Sequence, residues 1–387
     1  MDTTLVGTAG ALAAKSSSTP ACTSDGKAPV CLRNDSQPFD VLCSMRDVRP
    51  VLTRKESRMG SRYSATAAST LTLLAVLWAG DAAAQTVEGS FERTVPVSGA
   101  VDLTVRTGSG RIEVRSGDAS SVRIIGQVRI RSRWFDFSGS AEERVRRLQQ
   151  NPPIEQRGNV IRIGDIDDPD VTRHVSISYT IVAPSTTRLT VNSGSGSLDI
   201  AGLDGPVVVR TGSGSIRVRG IGDALEASTG SGAIDVDTVA GGVRLRTGSG
   251  RLRARGIAGS ASAASGSGSI DLEQTAGGAV DVHTGSGSVD VRGVRGGANV
   301  QTGSGSITIA GAMTDAWRVR ASSGSVTVQL PADAAFDLNA RTGSGSINVA
   351  HPLTLSGVIN RREVRGRVRG GGPSLDVSAS SGSIRIR

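Results

Sequence analysis

The side chains of this 387-residue sequence that could do chemistry are few and scattered. His174, His283 and His351 lie far apart along the chain. A metal centre or a catalytic triad needs its groups gathered and held by supporting hydrogen bonds, so each reads as a surface or loop histidine. Cys22, Cys31 and Cys43 match no zinc spacing, and three cysteines do not close a disulfide framework. Asp165, Asp167, Asp168 and Asp170 surround Pro169; the run reads as a solvated loop, with a cation site as the alternative. No cofactor is expected.

Two groups could be contact surfaces. Arg361, Arg362, Arg365, Arg367 and Arg369 face only Glu363 in sequence. Exposed guanidinium groups suit phosphate and carboxylate, so the stretch is either a solvated irregular loop or a contact for an anionic envelope polymer or lipid head group. Trp134, Phe135 and Phe137 beside Arg129, Arg131 and Arg133 either stack on sugar rings or a protein partner, or cover an open end of the fold.

The commonest motif is Gly-Ser-Gly, as in Arg210 to Arg219, RTGSGSIRVR. A phosphate-binding loop would lead into a helix and, in the P-loop, carry a lysine; here each motif leads into a strand-like run. A calcium roll would need an aspartate after the glycines, where Ser215, Ser269 and Ser306 stand instead. The motif therefore reads as a corner, with Gly212 and Gly214 expected to turn by positive φ. The regular Thr column has the parity of the inward Val207 and Val209, which argues against an ice-binding face.

The elements that position these residues follow from a fixed period. The Thr or Ser opening each motif stands at Ser193, Thr211, Thr229, Thr247, Ser265, Thr284 and Thr302, at intervals of 18 or 19 residues. Drifted copies follow at Ala321, Thr342 and Ala379; the last interval, 37 residues, predicts one degenerate coil between. Within a copy the side chains alternate with a period of two, as strands do. One repeat cannot bury its apolar face alone and must stack on its neighbours.

The expected fold is all-β, a parallel β-solenoid of about 18 residues per coil. Stacking predicts columns. Ile216 aligns with Leu198, Ile234, Leu252, Ile270, Val289, Ile307, Val326 and Ile347. Outward, Asp199, Arg217, Asp235, Arg253 and Asp271 alternate in sign, as do Arg219, Asp237, Arg255, Glu273 and Arg292. Catalysis by paired carboxylates is disfavoured because these acids are accounted for by arginines.

An earlier copy at Val87 to Val114, with Leu103 and Val105 before its corner and Ile112 and Val114 after it, is separated from the array by residues 116–188, which predict strands at Ser121 to Ile130 and Val175 to Val182 and a helix at Ala141 to Gln150 stopped by Asn151-Pro152-Pro153. Ile384 and Ile386, flanked by Arg385 and Arg387, are placed to discourage strand addition at the end of the stack.

Aromatics make up only 3% of the chain, and its net charge is +9. That charge would suggest nucleic acid, but the three lysines, Lys15, Lys27 and Lys55, all precede an export signal. From Met59, Arg62 is followed by the apolar Thr70 to Ala79, too short to span a bilayer, and by Ala82-Ala83-Ala84 as a cleavage site. The expected division is residues 1–58, an upstream start or extension; 59–84, the signal peptide; 85–188, an N-terminal β region with a capping insertion; and 189–387, the array. The mature part carries no apolar run long enough for a membrane span and no sequence for a translocating barrel after the array.

The repeated T-G-S-G-S-I-x-V unit, the lead-in Val175 to Pro184 and the tail Pro331 to Ile347 resemble the bacterial "putative adhesin" family of β-strand repeats, a domain of unknown function, and are similar to the auto-transporter adhesin head domain. The resemblance implies a β-solenoid in the periplasm or at the cell surface and supplies no catalytic residues. The expected function is a non-enzymatic envelope scaffold or adhesin-like interaction protein; the alternative is a carbohydrate-active β-helix enzyme.

Overall fold

The computed structural model describes residues 86–131, 140–164 and 175–387, all within one compact unit, Trp78–Arg387. The cysteines, the export signal, Trp134, Phe135, Phe137, the Asp165 to Asp170 run and His174 lie outside the described residues.

Alternation puts Val207, Val209, Ile216 and Val218 on one side of the chain, and each is 1% exposed or less. Each repeat sends one strand to each of two sheets, for example Val207–Thr211 to one and Ile216–Ile221 to the other. The sheet holding Ile216 has fourteen strands and is called the first; the other, the second, has fifteen. Pairing through the array is parallel, so the backbone groups of each coil are satisfied by its neighbours. Ile216 pairs with Leu198 and Ile234, 18 residues away on either side, and the interval becomes 19 at Ile270 and Val289. The aliphatic ladder is continuous and buried from Ile112 through Val326. The protein is an all-β parallel solenoid.

The earlier copy stacks directly on the array, with Leu103 opposite Leu189 and Ile112 opposite Leu198. The intervening segment is carried to the end of both sheets. Val175–Ala183 lies beside Ile112–Ser116, and Ser121–Arg131 and Thr86–Pro96 follow antiparallel. The helix Ser140–Gln150 packs on Thr86–Pro96 through buried Ala141, Val145 and Leu148. Gly89 makes room for it, since a Cβ there would stand 2.3 Å from Val145.

At the other end the expected order fails. The final copy, Ser374–Ser381 and Ile384–Ile386, inserts between the copy of Trp317 and the copy of Phe336. Residues 353–368 are not a degenerate coil but an antiparallel hairpin, Leu353–Asn360 and Glu363–Val368, closing the second sheet. Ile384–Ile386 is consequently interior, and Ile347–Val349 is the edge strand. The reason is that all copies present the same columns, so the hairpin can lead the chain back into a register position between two earlier strands.

The corners also correct the expectation. Neither Gly212 nor Gly214 has positive φ. Glycine is needed because a Cβ on Gly214 would lie 1.7 Å from the Gly196 carbonyl oxygen of the preceding coil, a contact repeated at Gly232 and Gly250. Positive φ does occur at this corner in other copies, 137° at Gly110, 141° at Gly305 and 142° at Gly345, and it also marks the second corner of the repeat: 74° at Gly202, 63° at Gly220 and 65° at Gly256, with Thr238 at 61° in the same position. That turn brings the next residue inward, so Ile221, Val239 and Ile257 are buried. In one coil Gln274 replaces this aliphatic, and its buried amide donates to the carbonyls of Gly259 and Gly278 at 3.0 and 3.3 Å.

Candidate functional site

On the face of the first sheet the charge columns are in register: Asp199, Arg217, Asp235, Arg253 and Asp271 are successive partners. The second column keeps its pairing from Arg219 to Arg255, loses it between Arg255 and Glu273, where the register shifts between Ala254 and Ile257, and regains it at Glu273 and Arg292. Ion pairs form along and across the columns: Arg253 meets Asp271 at 3.4 Å, whereas Arg219 reaches diagonally to Asp199 at 2.9 Å. Asp290 is held within its own strand by Arg292. These carboxylates thus sit against guanidinium groups, and the pairs of Asp199 and Asp271 add cohesion between coils.

The Arg-rich segment is an ordered hairpin strand. Val364 and Val368 face in, while Arg365 and Arg367 face out. Arg365 pairs with Glu363 at 2.9 Å, Arg367 approaches Asp337 at 3.9 Å, and Arg369 donates to the Ala332 carbonyl. The hairpin needs three of the five guanidinium groups for its own docking. Arg361 and Arg362, at the turn, make no ion pair among the described residues and border a hollow of about 440 Å³ with Arg341 and Asn360.

A larger feature runs over the second sheet. Beside the Gly-Ser-Gly corners lies a groove of about 1010 Å³, floored by Gly230, Gly248, Gly266, Gly285 and Gly303 and walled by Arg246, His283, Gln301 and Arg320. No carboxylate lines it. At its near end Arg210 donates to Glu226 at 2.8 Å, and that hydrogen bond, with smaller contributions from the charges of Arg244 and Arg246, holds the Glu226 carboxyl below the usual carboxylate range. His283 stands 3.4 Å from Asp281. The wall residues occupy the column one position before the Thr marker. Reading that column, Arg210, Ser228, Arg246, Ala264, His283, Gln301, Arg320, would have shown its lack of acids in the sequence.

The remaining candidates separate. His283 lines the groove; His351 lies in the bend after Ile347–Val349, as a loop histidine, but it is not at the surface: it is buried against Phe336, ring centroids 5.6 Å apart, with Nε2 3.2 Å from the Pro331 carbonyl. Tyr179 is buried edge-on to Phe91, and burial pushes its phenol well above its ordinary range. Among the described residues no three of His, Cys, Asp and Glu gather as metal ligands, and no helix is long and apolar enough to cross a membrane.

No curated protein matches the chain. Two solved structures are similar to it: one described as a putative cell adhesion protein from Clostridium sporogenes, at 12% identity, TM-score 0.20, covering 77% of this chain and 99% of that one; the other as a putative adhesin from Bacteroides fragilis, at 11% identity, TM-score 0.27, covering 77% and 97%. Superposition is loose in both, and the fold rests on the strand register above. Residues 179–387, more than half of the sequence, match one family over the whole regular array and its lead-in strand. The chain belongs to the Toastrack DUF4097 family.

Proposed function

We propose that the chain is an exported, non-enzymatic β-solenoid that acts as an envelope scaffold or adhesin-like interaction protein. The observation that carries the reading is the use of the repeated carboxylates: Asp199, Asp271 and Asp290 are held by arginines on the face of the first sheet, where an acid–base pair would need them free to exchange protons. Membership of the Toastrack DUF4097 family, matched over residues 179–387, supports it. Export rests on the segment 59–84, with a mature chain of a capping region, 85–188, and an array, 189–387, in the periplasm or at the cell surface. Within this reading Arg361 and Arg362 are the contact residues of the Arg-rich hairpin, and Trp134, Phe135 and Phe137 form a second contact or an end cover.

Two measurements test it. N-terminal sequencing of the protein from fractionated cells is expected to give Gln85 in the envelope fraction; a cytoplasmic chain still carrying residues 1–58 overturns export. Incubation with envelope and plant polysaccharides is expected to release no products. Turnover abolished by one Asp substitution would establish the carbohydrate-active enzyme instead.

A further inference from the structure

The seven second-sheet strands from Val207–Thr211 to Trp317–Ser323 differ in charge from the balanced face of the first sheet. Their outward positions hold five arginines, Arg210, Arg244, Arg246, Arg318 and Arg320, against two carboxylates, Glu226 and Asp281. Both carboxylates are engaged, Glu226 by Arg210, and Asp281 by His283 and by the Asn299 amide at 2.8 Å. Arg244, Arg246, Arg318 and Arg320 make no ion pair among the described residues.

They form two arginine pairs on strands four spacings apart, roughly 19 Å at the usual interstrand distance. Between them the groove passes Ala264, His283 and Gln301 over its glycine floor.

We propose that this groove is a binding site for a linear, carboxylate-bearing polysaccharide lying along the stacking direction. The two arginine pairs stand too far apart for one small anion to bridge, so the ligand is an extended polyanion. Its anionic groups meet guanidinium forks that are exposed and, among the described residues, outside any ion pair. The depression over Ala264 and the glycines admits a ring-bearing chain close to the backbone, and Ser228, Gln301 and Ser322 offer hydroxyl and amide partners. A nucleic acid is less well served, because no Phe, Tyr or Trp lines the groove for bases to stack on. A lipid surface would need apolar anchors beside the charges, and the lining supplies none of the large ones. The site is independent of export and of the Arg361 and Arg362 turn.

The test is affinity electrophoresis of the full chain in gels containing polygalacturonate, with dextran as the neutral control. The wild type is expected to be retarded by polygalacturonate and not by dextran, more weakly as salt rises, and to be released by long but not by dimeric oligogalacturonate. Arg246→Ser with Arg320→Ser is expected to weaken binding by about tenfold for each guanidinium group removed, and Arg217→Ser with Arg385→Ser, exposed on the first sheet, to leave it unchanged. Ala264→Trp, which fills the depression and removes no charge, should also weaken it; this variant decides the matter if the arginine double variant fails to fold.

Retardation that is absent, equal in dextran, or unchanged in folded groove variants overturns the proposal. Stronger competition by oligothymidylate than by long oligogalacturonate also overturns it, in favour of a phosphate polymer. Cleavage of the polymer would instead sink the non-enzymatic reading while leaving the groove in place.

Discussion

The hydroxyl of Thr229 donates to the Gly214 carbonyl of the preceding coil at 3.0 Å and accepts the Gly232 N–H of its own coil at 3.1 Å. The same double role recurs at Thr247, so the Thr column ties corner to corner through backbone groups and does not stack hydroxyl on hydroxyl. Thr229→Val keeps the shape but leaves a buried carbonyl and N–H without that partner, and should cost about 1–3 kcal/mol in denaturant unfolding, with Thr229→Ser recovering most of it. Equal midpoints for wild type and Thr229→Val would remove the tie from the account. Thr238 is a β-branched residue at φ 61°, where neighbouring coils place glycine. The left-handed conformation costs such a residue about 1–2 kcal/mol, and glycine's greater unfolded-state freedom returns part of that. Thr238→Gly is therefore expected to raise the melting midpoint slightly; a lower midpoint would mean the bond from the Thr238 hydroxyl to Asp237 outweighs the strain. At this scale the inward parity of the column was legible, but the tie between coils was not, because the carbonyl that accepts from Thr229 lies 15 residues back, on the preceding coil.

Strands on the first sheet are matched by charge as well as by apolar side chains. Arg253→Asp would set acids at four successive positions, Asp235, residue 253, Asp271 and Asp290. With the pair exposed to solvent, the expected loss is modest, about 0.5–1 kcal/mol, and smaller at high salt. Adding Asp271→Arg should restore part of it; no recovery in thermal melts would show that the columns do not couple. The column was legible in the sequence because one period separates its members. The diagonal ion pairs and the neighbouring column's gap between Arg255 and Glu273 were not, since they depend on side-chain reach and on the one-residue register shift at the Gln274 corner.

The order of the last coils is a property of the whole molecule. Since Ser374–Ser381 lies between Trp317–Ser323 and Phe336–Ser344, the copy carrying Phe336 cannot take its final neighbours until the tail has been made. Removing residues 374–387 is expected to lower the melting midpoint and to strip hydrogen-exchange protection from both flanking strands. A tail stacked beyond Ile347 in simple chain order would instead leave Trp317–Ser323 protected. Long-range pairing of this kind also predicts slow folding relative to an array added coil by coil.

The sequence by itself determined the unit: two strands per repeat, the apolar ladder on Ile216 and Val218, the glycine corners and the register of 18 residues. Each of these depends on contacts with the next copy, and the period keeps the next copy within sight. Tertiary structure alone decided where the final copy inserts, that the Arg-rich stretch is a hairpin using most of its own charge, and that Arg246 and Arg320 share one groove. Copies with identical columns are interchangeable in pairing energy, so their order is settled by loop closure and by covering the end of the stack. A groove is likewise a relation among side chains from many coils, which no single repeat contains.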